Sequence, residues 1–209
     1  MVRAIMALCA ALLLAACGVD NTSAPDAEIM RYRYVAGPPT SITLFTTVND
    51  RNNTGAHSAL LVNGSERVLF DPAGTFSHPH APVRGDVHYG MTDKLVNFYL
   101  DYHARDSEKE KFHVIEQTLL VPPETAELIL QRVKSNGAVP KAYCANSISS
   151  LLRDIPGFEN IGVTFFPLKL EAQFAEMPGV SRRIITEEND NPGAGHGVIL
   201  IDDDGNVMN

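Results

Sequence analysis

The sequence predicts an α+β fold in which strands come first and helices follow, interspersed with further strands. Three observations carry this. Ile42-Thr43-Leu44-Phe45-Thr46-Thr47-Val48 is a run rich in β-branched residues, and Asn63-Gly64-Ser65 between two apolar runs is a hairpin signal. Helical periodicity appears only later, with Leu95, Val96, Tyr99 and Tyr102 on one face. Strands followed by mixed helices and strands is the order of an α+β domain, not of alternating βαβ units.

The elements follow in order. Residues 18–38 are polar and poorly patterned and end in Gly37-Pro38-Pro39, which reads as a tether. Ile42–Val48 is the first strand, and Asn49–Gly55 a polar loop. His57–Val62 and Arg67–Asp71 form a hairpin. With a three-residue loop, Asn63 to Ser65, Val62 pairs with Glu66 and His57 falls opposite Asp71. Asp71-Pro72-Ala73-Gly74 stops the strand, and a loop rich in Pro and His runs to Gly90, in the manner of a flap. Thr92 caps a helix, and Phe112–Val121 is a strand. Pro122-Pro123-Glu124 opens a helix that runs to about Ser135 and stops at Gly137. Further helices are predicted at Cys144–Asp154, before Pro156-Gly157, and at Leu168–Met177. Gly197–Ile201 is a terminal strand.

The N-terminus carries its own signal. Arg3 precedes an apolar run from Ala4 to Ala16, long enough for a signal-peptide core and short of the ~20 residues that span a bilayer. It ends in Leu14-Ala15-Ala16-Cys17, which resembles a lipobox. That resemblance implies cleavage before Cys17 and diacylation of its thiol; two acyl chains anchor stably where one does not. Gly18, in place of Asp, implies transfer to an outer membrane, with the chain facing the periplasm. The expected organisation is a signal peptide over 1–16, lipidated Cys17 and tether over 17–40, and one domain over 41–209. Removing residues 1–16 leaves 193 of the 209 residues and takes away only Arg3, so the net charge moves from −8 to −9. That length suits one core, and the acidic balance argues against nucleic acid as a partner.

Of three cysteines, Cys9 lies in the signal and Cys17 at the lipidation site, so Cys144 is the lone thiol of the processed chain and no internal disulfide forms. Ile148, Leu151, Leu152 and Ile155 follow it at helical spacing, which puts Cys144 at the N-terminal end of a buried stripe. There it is either a small buried hydrophobe or a thiol whose ionised form the helix N-terminus favours. A nucleophilic thiolate wants an imidazole. His57 is the candidate base and Asp71 the group that orients it, while a backbone-bonded histidine and an Asx-turn are their structural alternatives. His196, heading Gly197–Ile201, competes for the role of base, but only Val207-Met208-Asn209 remains for a partner strand. His78-Pro79-His80 with His88 offers a zinc alternative. No HExxH or CxxC pattern supports it, and neither metal nor cofactor is expected.

His57-Ser58-Ala59-Leu60-Leu61-Val62, then Val68-Leu69-Phe70-Asp71, then Tyr143-Cys144-Ala145-Asn146 leading into Leu151-Leu152, resembles the circularly permuted branch of the NlpC-type papain-like thiol hydrolases, over roughly residues 42–177. The resemblance implies an antiparallel sheet with packed helices, Cys144 as nucleophile, His57 as base and Asp71 as orienter. Acyltransferase-like members often carry a second histidine where this chain has Asp71. The implied activity is hydrolysis or transfer at amide bonds of cell-wall peptides, or at ester or lipid substrates. A binding or envelope-assembly lipoprotein that keeps the fold without turnover is the alternative of a different class.

Overall fold

The structure, a computed structural model, describes residues 23–106 and 111–187. In chain order the elements are α1 (Asp26–Tyr32), β1 (Ser41–Asn49), β2 (Thr54–Asn63), β3 (Arg67–Phe70), β4 (Val83–Arg84), β5 (Val87–His88), α2 (Asp93–His103), β6 (Phe112–Leu120), α3 (Pro123–Asn136), α4 (Cys144–Leu152), α5 (Pro167–Ala175) and β7 (Ser181–Ile185). The strands form one antiparallel sheet in the order β4-β5-β3-β2-β1-β6-β7. The expected α+β class holds.

β1 lies in the interior of the sheet, and Ile42 to Val48 are buried without alternation, as a strand covered on both faces must be. Ile42 and Leu44, with Leu60, Val62 and Phe70, face α3, α4 and α5. Phe45, with Ala59, Leu61, Leu69 and Val114, faces α2. The helix ends follow their signals. Thr92 Oγ1 accepts the Leu95 N–H at 3.3 Å, and α3 stops at Gly137, whose φ of +73° suits a residue without Cβ.

Three expectations change. The hairpin register is shifted: Val62 pairs with Val68 and Asn63 with Arg67, so the loop is Gly64 to Glu66, closed by Gly64 N–H to Glu66 O at 3.1 Å. His57 is therefore not directly opposite Asp71. The shift is two residues, however, and strand side chains alternate with period two, so both stay on the same face.

The Pro- and His-rich stretch borders the cleft at Ala73 to Thr75, but its end is part of the sheet. β5 pairs with β3 through Leu69–His88 and Phe70–Val87, which buries His88. Two-residue strands carry no periodicity, and the ladder of the neighbouring strand supplies the order instead.

The polar stretch read as tether packs on the body from Ser23 onward. Ser23 bridges to Arg84, Ala24 N–H donates to Val83 O at 2.8 Å, and Arg84 pairs with Asp26 at 2.7 Å. Asn63 Nδ2 donates to Gly37 O and Pro39 O. These hydrogen bonds and ion pairs lie at the edge and end of the sheet, and among its described residues only Ile29 adds an apolar contact to the core, so the segment shows no apolar pattern. β7 is an edge strand with four exposed residues and gives no alternation to read. Gly197–Ile201 and His196 lie outside the described residues.

Candidate active site

The site forms where β3 stops short. Its ladder with β2 ends at Leu60–Phe70, so the start of β2 has an open edge. A bulge between Thr47 and Val48 of β1 leaves Ala56 unpaired immediately before His57. Such a bulge bends the strand and re-aims the next side chain. α4 packs on the other face of β2, and its first residue, Cys144, reaches this open edge, where the thiol meets the His57 ring and the Ser58 backbone amide.

His57 Nε2 bonds Asp71 Oδ1 at 2.5 Å, which leaves Nδ1 for the thiol. The pair is diagonal across the hairpin, a separation long side chains span. Tyr99 OH donates to the same Asp71 oxygen at 2.9 Å. Burial by itself pushes the imidazole down in pKa. The Asp71 carboxylate, with help from Cys144, outweighs burial and raises His57 to about 10. Burial pushes Asp71 up, but bonding to His57 and the fields of His88 and His103 hold it well below the carboxylate range. Cys144 is 6 % exposed. Burial raises its thiol, whereas the bond and charge of His57 and the Ser58 and Ala145 amides bring it below the ordinary value. His57 is held as an imidazolium by a buried carboxylate, beside a thiol that ionises more readily than a free one.

All three residues singled out from the sequence thus meet. Sequence reasoning missed the groups behind them. Tyr99 was read only as part of an apolar face. His103 lies parallel to His57, centroids 5.8 Å apart and planes at 15°, and burial lowers it to about 4. Tyr99 and His103 sit four residues apart on α2, and that spacing was the available signal. His88 Nε2 lies 3.8 Å from Asp71 Oδ2, and burial also keeps its pKa down. His78 and His80 pack on Phe98 and Tyr32 instead. Among the described residues no three His, Cys, Asp or Glu side chains converge as a metal site.

Asp86 ties the two halves together. Its carbonyl accepts Asp71 N–H at 2.8 Å. Its Oδ2 accepts Ala73 N–H at 3.0 Å and Val139 N–H at 2.9 Å. Ala73 (φ +59°) follows Asp71 by two residues and Ala142 (φ +69°) precedes Cys144 by two. Left-handed backbone costs a non-glycine residue about 1–2 kcal/mol, and the Asp86 bonds help hold both loops in these shapes.

Gly74 is required for a different reason. A Cβ there would lie 1.8 Å from Asp71 Oδ2, so Gly74→Ala must drive the carboxylate away from His57. A lost bond to a charged group is worth about 1.5–3 kcal/mol. The expected result is a one- to two-decade fall in the rate of Cys144 alkylation near neutral pH. Alkylation at the parent rate would show that the carboxylate does not set thiol reactivity.

A cleft of about 230 Å³ opens on the α2 side and is lined by His57, His103, Tyr102, Gly74 and Arg105 among others. It reaches the imidazole and not the thiol, which lies beneath. The chain matches no family model, no curated protein and no solved structure.

Proposed function

We propose that this chain is a membrane-anchored thiol hydrolase or acyltransferase of papain-like, permuted NlpC-type architecture, exported and held by lipid on Cys17. The observation that carries the reading is the relay Cys144–His57–Asp71 at a helix N-terminus. In its chemistry the thiolate sulfur bonds to the acyl carbon of an amide or ester. The carbon–nitrogen or carbon–oxygen bond breaks, and the leaving group departs with the proton from His57. Water, or an acceptor hydroxyl or amine, then releases the thioester and returns its proton through His57. In this reading the Ser58 and Ala145 amides beside the sulfur donate to the oxyanion.

Amide bonds of cell-wall peptides, and ester or lipid amide bonds, are the substrate classes of this reading. The anchor reading rests on Leu14-Ala15-Ala16-Cys17, and among the described residues no helix is long and apolar enough to cross a membrane. A second reading, a binding or envelope-assembly lipoprotein without turnover, is favoured by the cleft lying over His57 while Cys144 is nearly covered.

One experiment separates the readings. The parent, Cys144→Ala and Cys17→Ser are expressed in a diderm bacterium, fractionated, and treated with iodoacetamide near neutral pH. The parent is expected in the membrane fraction with an acyl mass and a fast-labelling thiol. Cys144→Ala should stay anchored, lose fast labelling and hydrolyse nothing. Cys17→Ser should lose the acyl mass. A parent that labels no faster than after denaturation is the binding protein, and a parent without acyl mass is not a lipoprotein.

A further inference from the structure

Large apolar side chains are exposed together around the start of α4. Tyr143, directly before the thiol, is 40 % exposed, Phe165 is 50 % and Phe166 71 % exposed, and Val163 is 40 % exposed. The Tyr143 and Phe165 rings meet edge-on at 5.1 Å. The segment that displays them is fixed to α4, because Thr164 N–H donates to Ser149 Oγ at 3.1 Å and Ser149 Oγ donates to Ala145 O at 2.7 Å. Phe166 N–H donates to Thr164 Oγ1 at 3.1 Å. The backbone that carries these side chains is thus fixed to α4.

We propose that the rim is an interfacial docking surface whose occupant is a lipid bilayer; this rests on the reading of Cys17 as the lipidated residue. Five residues separate Cys17 from Ser23, where pairing to the sheet begins, and the six Cα steps between them reach at most about 20 Å. The body is therefore held close to the membrane, and a series of contacts leads from Ser23 to the rim. Ser23 pairs with Arg84, which is level across the sheet with Val87, Phe70 and Leu60, two residues from Ser58. Gly85 packs on Gly137, where a Cβ would come within 3.1 Å. Val139 is bonded to Asp86, and a turn from Pro140 to Tyr143 leads into the rim. Exposed Lys141 and Lys169 flank the aromatic residues in the chain. From Lys141 to Glu171 three positive residues (Lys141, Arg153, Lys169) balance three negative ones (Asp154, Glu159, Glu171) in a chain of net charge −8, so this end meets anionic lipid with less repulsion than the acidic remainder. Aromatic rings with flanking lysines are the composition of an interfacial contact.

The chain contains no tryptophan, so one introduced indole is an unambiguous reporter. Full-length Phe166→Trp, processed and lipidated, is reconstituted into phosphatidylethanolamine–phosphatidylglycerol vesicles with brominated acyl chains. Leu120→Trp serves as the control: Leu120 is 61 % exposed and pairs with Ser41 at the opposite end of the sheet. The expected result is co-flotation of both, with emission quenched at least about twofold and blue-shifted for Phe166→Trp only. Co-flotation with no quenching, or with equal quenching of both variants, overturns the rim proposal and leaves the anchor reading standing. A processed chain that does not co-float overturns the anchor reading and the proposal with it.

Discussion

Replacing His57 with alanine is expected to move the pH profile of Cys144 alkylation upward by at least about one unit, slowing the reaction near neutral pH about tenfold or more. The thiol is kept low against its own burial, chiefly by the bond and charge of His57. Without the imidazolium, burial is opposed only by the Ser58 and Ala145 amides. A thiol returned to its free value near ~8.5 is only about 3 % thiolate at pH 7. His57→Ala leaves the Asp71 carboxylate buried without its cation, a loss of about 3–5 kcal/mol, so the thermal midpoint is measured alongside and the profile is recorded below it. His196→Ala is the control, since His196 competes for the role of base, and its profile should overlay the parent's. An upward shift in His196→Ala with none in His57→Ala would move the base to the C-terminal segment. No shift in either would leave Cys144 without a histidine partner.

The second large effect is on stability, in Asp71→Asn. The folded His57 is raised to about 10, so its contribution is complete below the unfolded value near ~6.5 and is lost as pH rises through 10. The folded Asp71 is depressed, so its contribution is present above ~3.9 and is lost as pH falls toward the folded value. Together they predict a plateau in the pair's own contribution between about pH 4 and 6.5 with a decline on each side, superimposed on the stability that the lowered His103 and His88 remove as pH falls below ~6.5. Asn keeps an oxygen for the imidazole and for Tyr99 but removes the charge. His57 then feels burial without its counter-ion, and its pKa falls. Breaking one partner of a buried pair costs about 3–5 kcal/mol. Denaturant unfolding of Asp71→Asn in a Cys144→Ala background, which removes the thiol from the same pH window, should show that loss on the plateau and a flattened alkaline limb. An alkaline limb unchanged from the Cys144→Ala parent would mean that Asp71 does not hold the imidazolium.

The local code was legible where one residue type decides one geometry. The strands at 42–48 and 112–121, the Thr92 cap, the Pro123 start and the Gly137 stop of α3, and Cys144 as the head of its helix all follow from propensity and periodicity, which neighbours in sequence impose on each other. The three candidate chemical residues were legible for a related reason. A lone thiol at a helix start, an imidazole heading a strand and a carboxylate closing its partner are each unusual enough in sequence to mark. What tertiary structure alone decided is how they meet. The hairpin shift would have separated His57 from Asp71 had it been one residue; at two it preserved the face, and no local rule counts that choice. β4 and β5 are ordered by β3 and not by their own residues, and that pairing brings His88 to Asp71. Tyr99, His103 and Asp86 act through partners 28, 46 and 53 residues away in sequence, at Asp71, His57 and Val139. Contacts of that range leave no period behind, because the chain between them is free to be anything that folds.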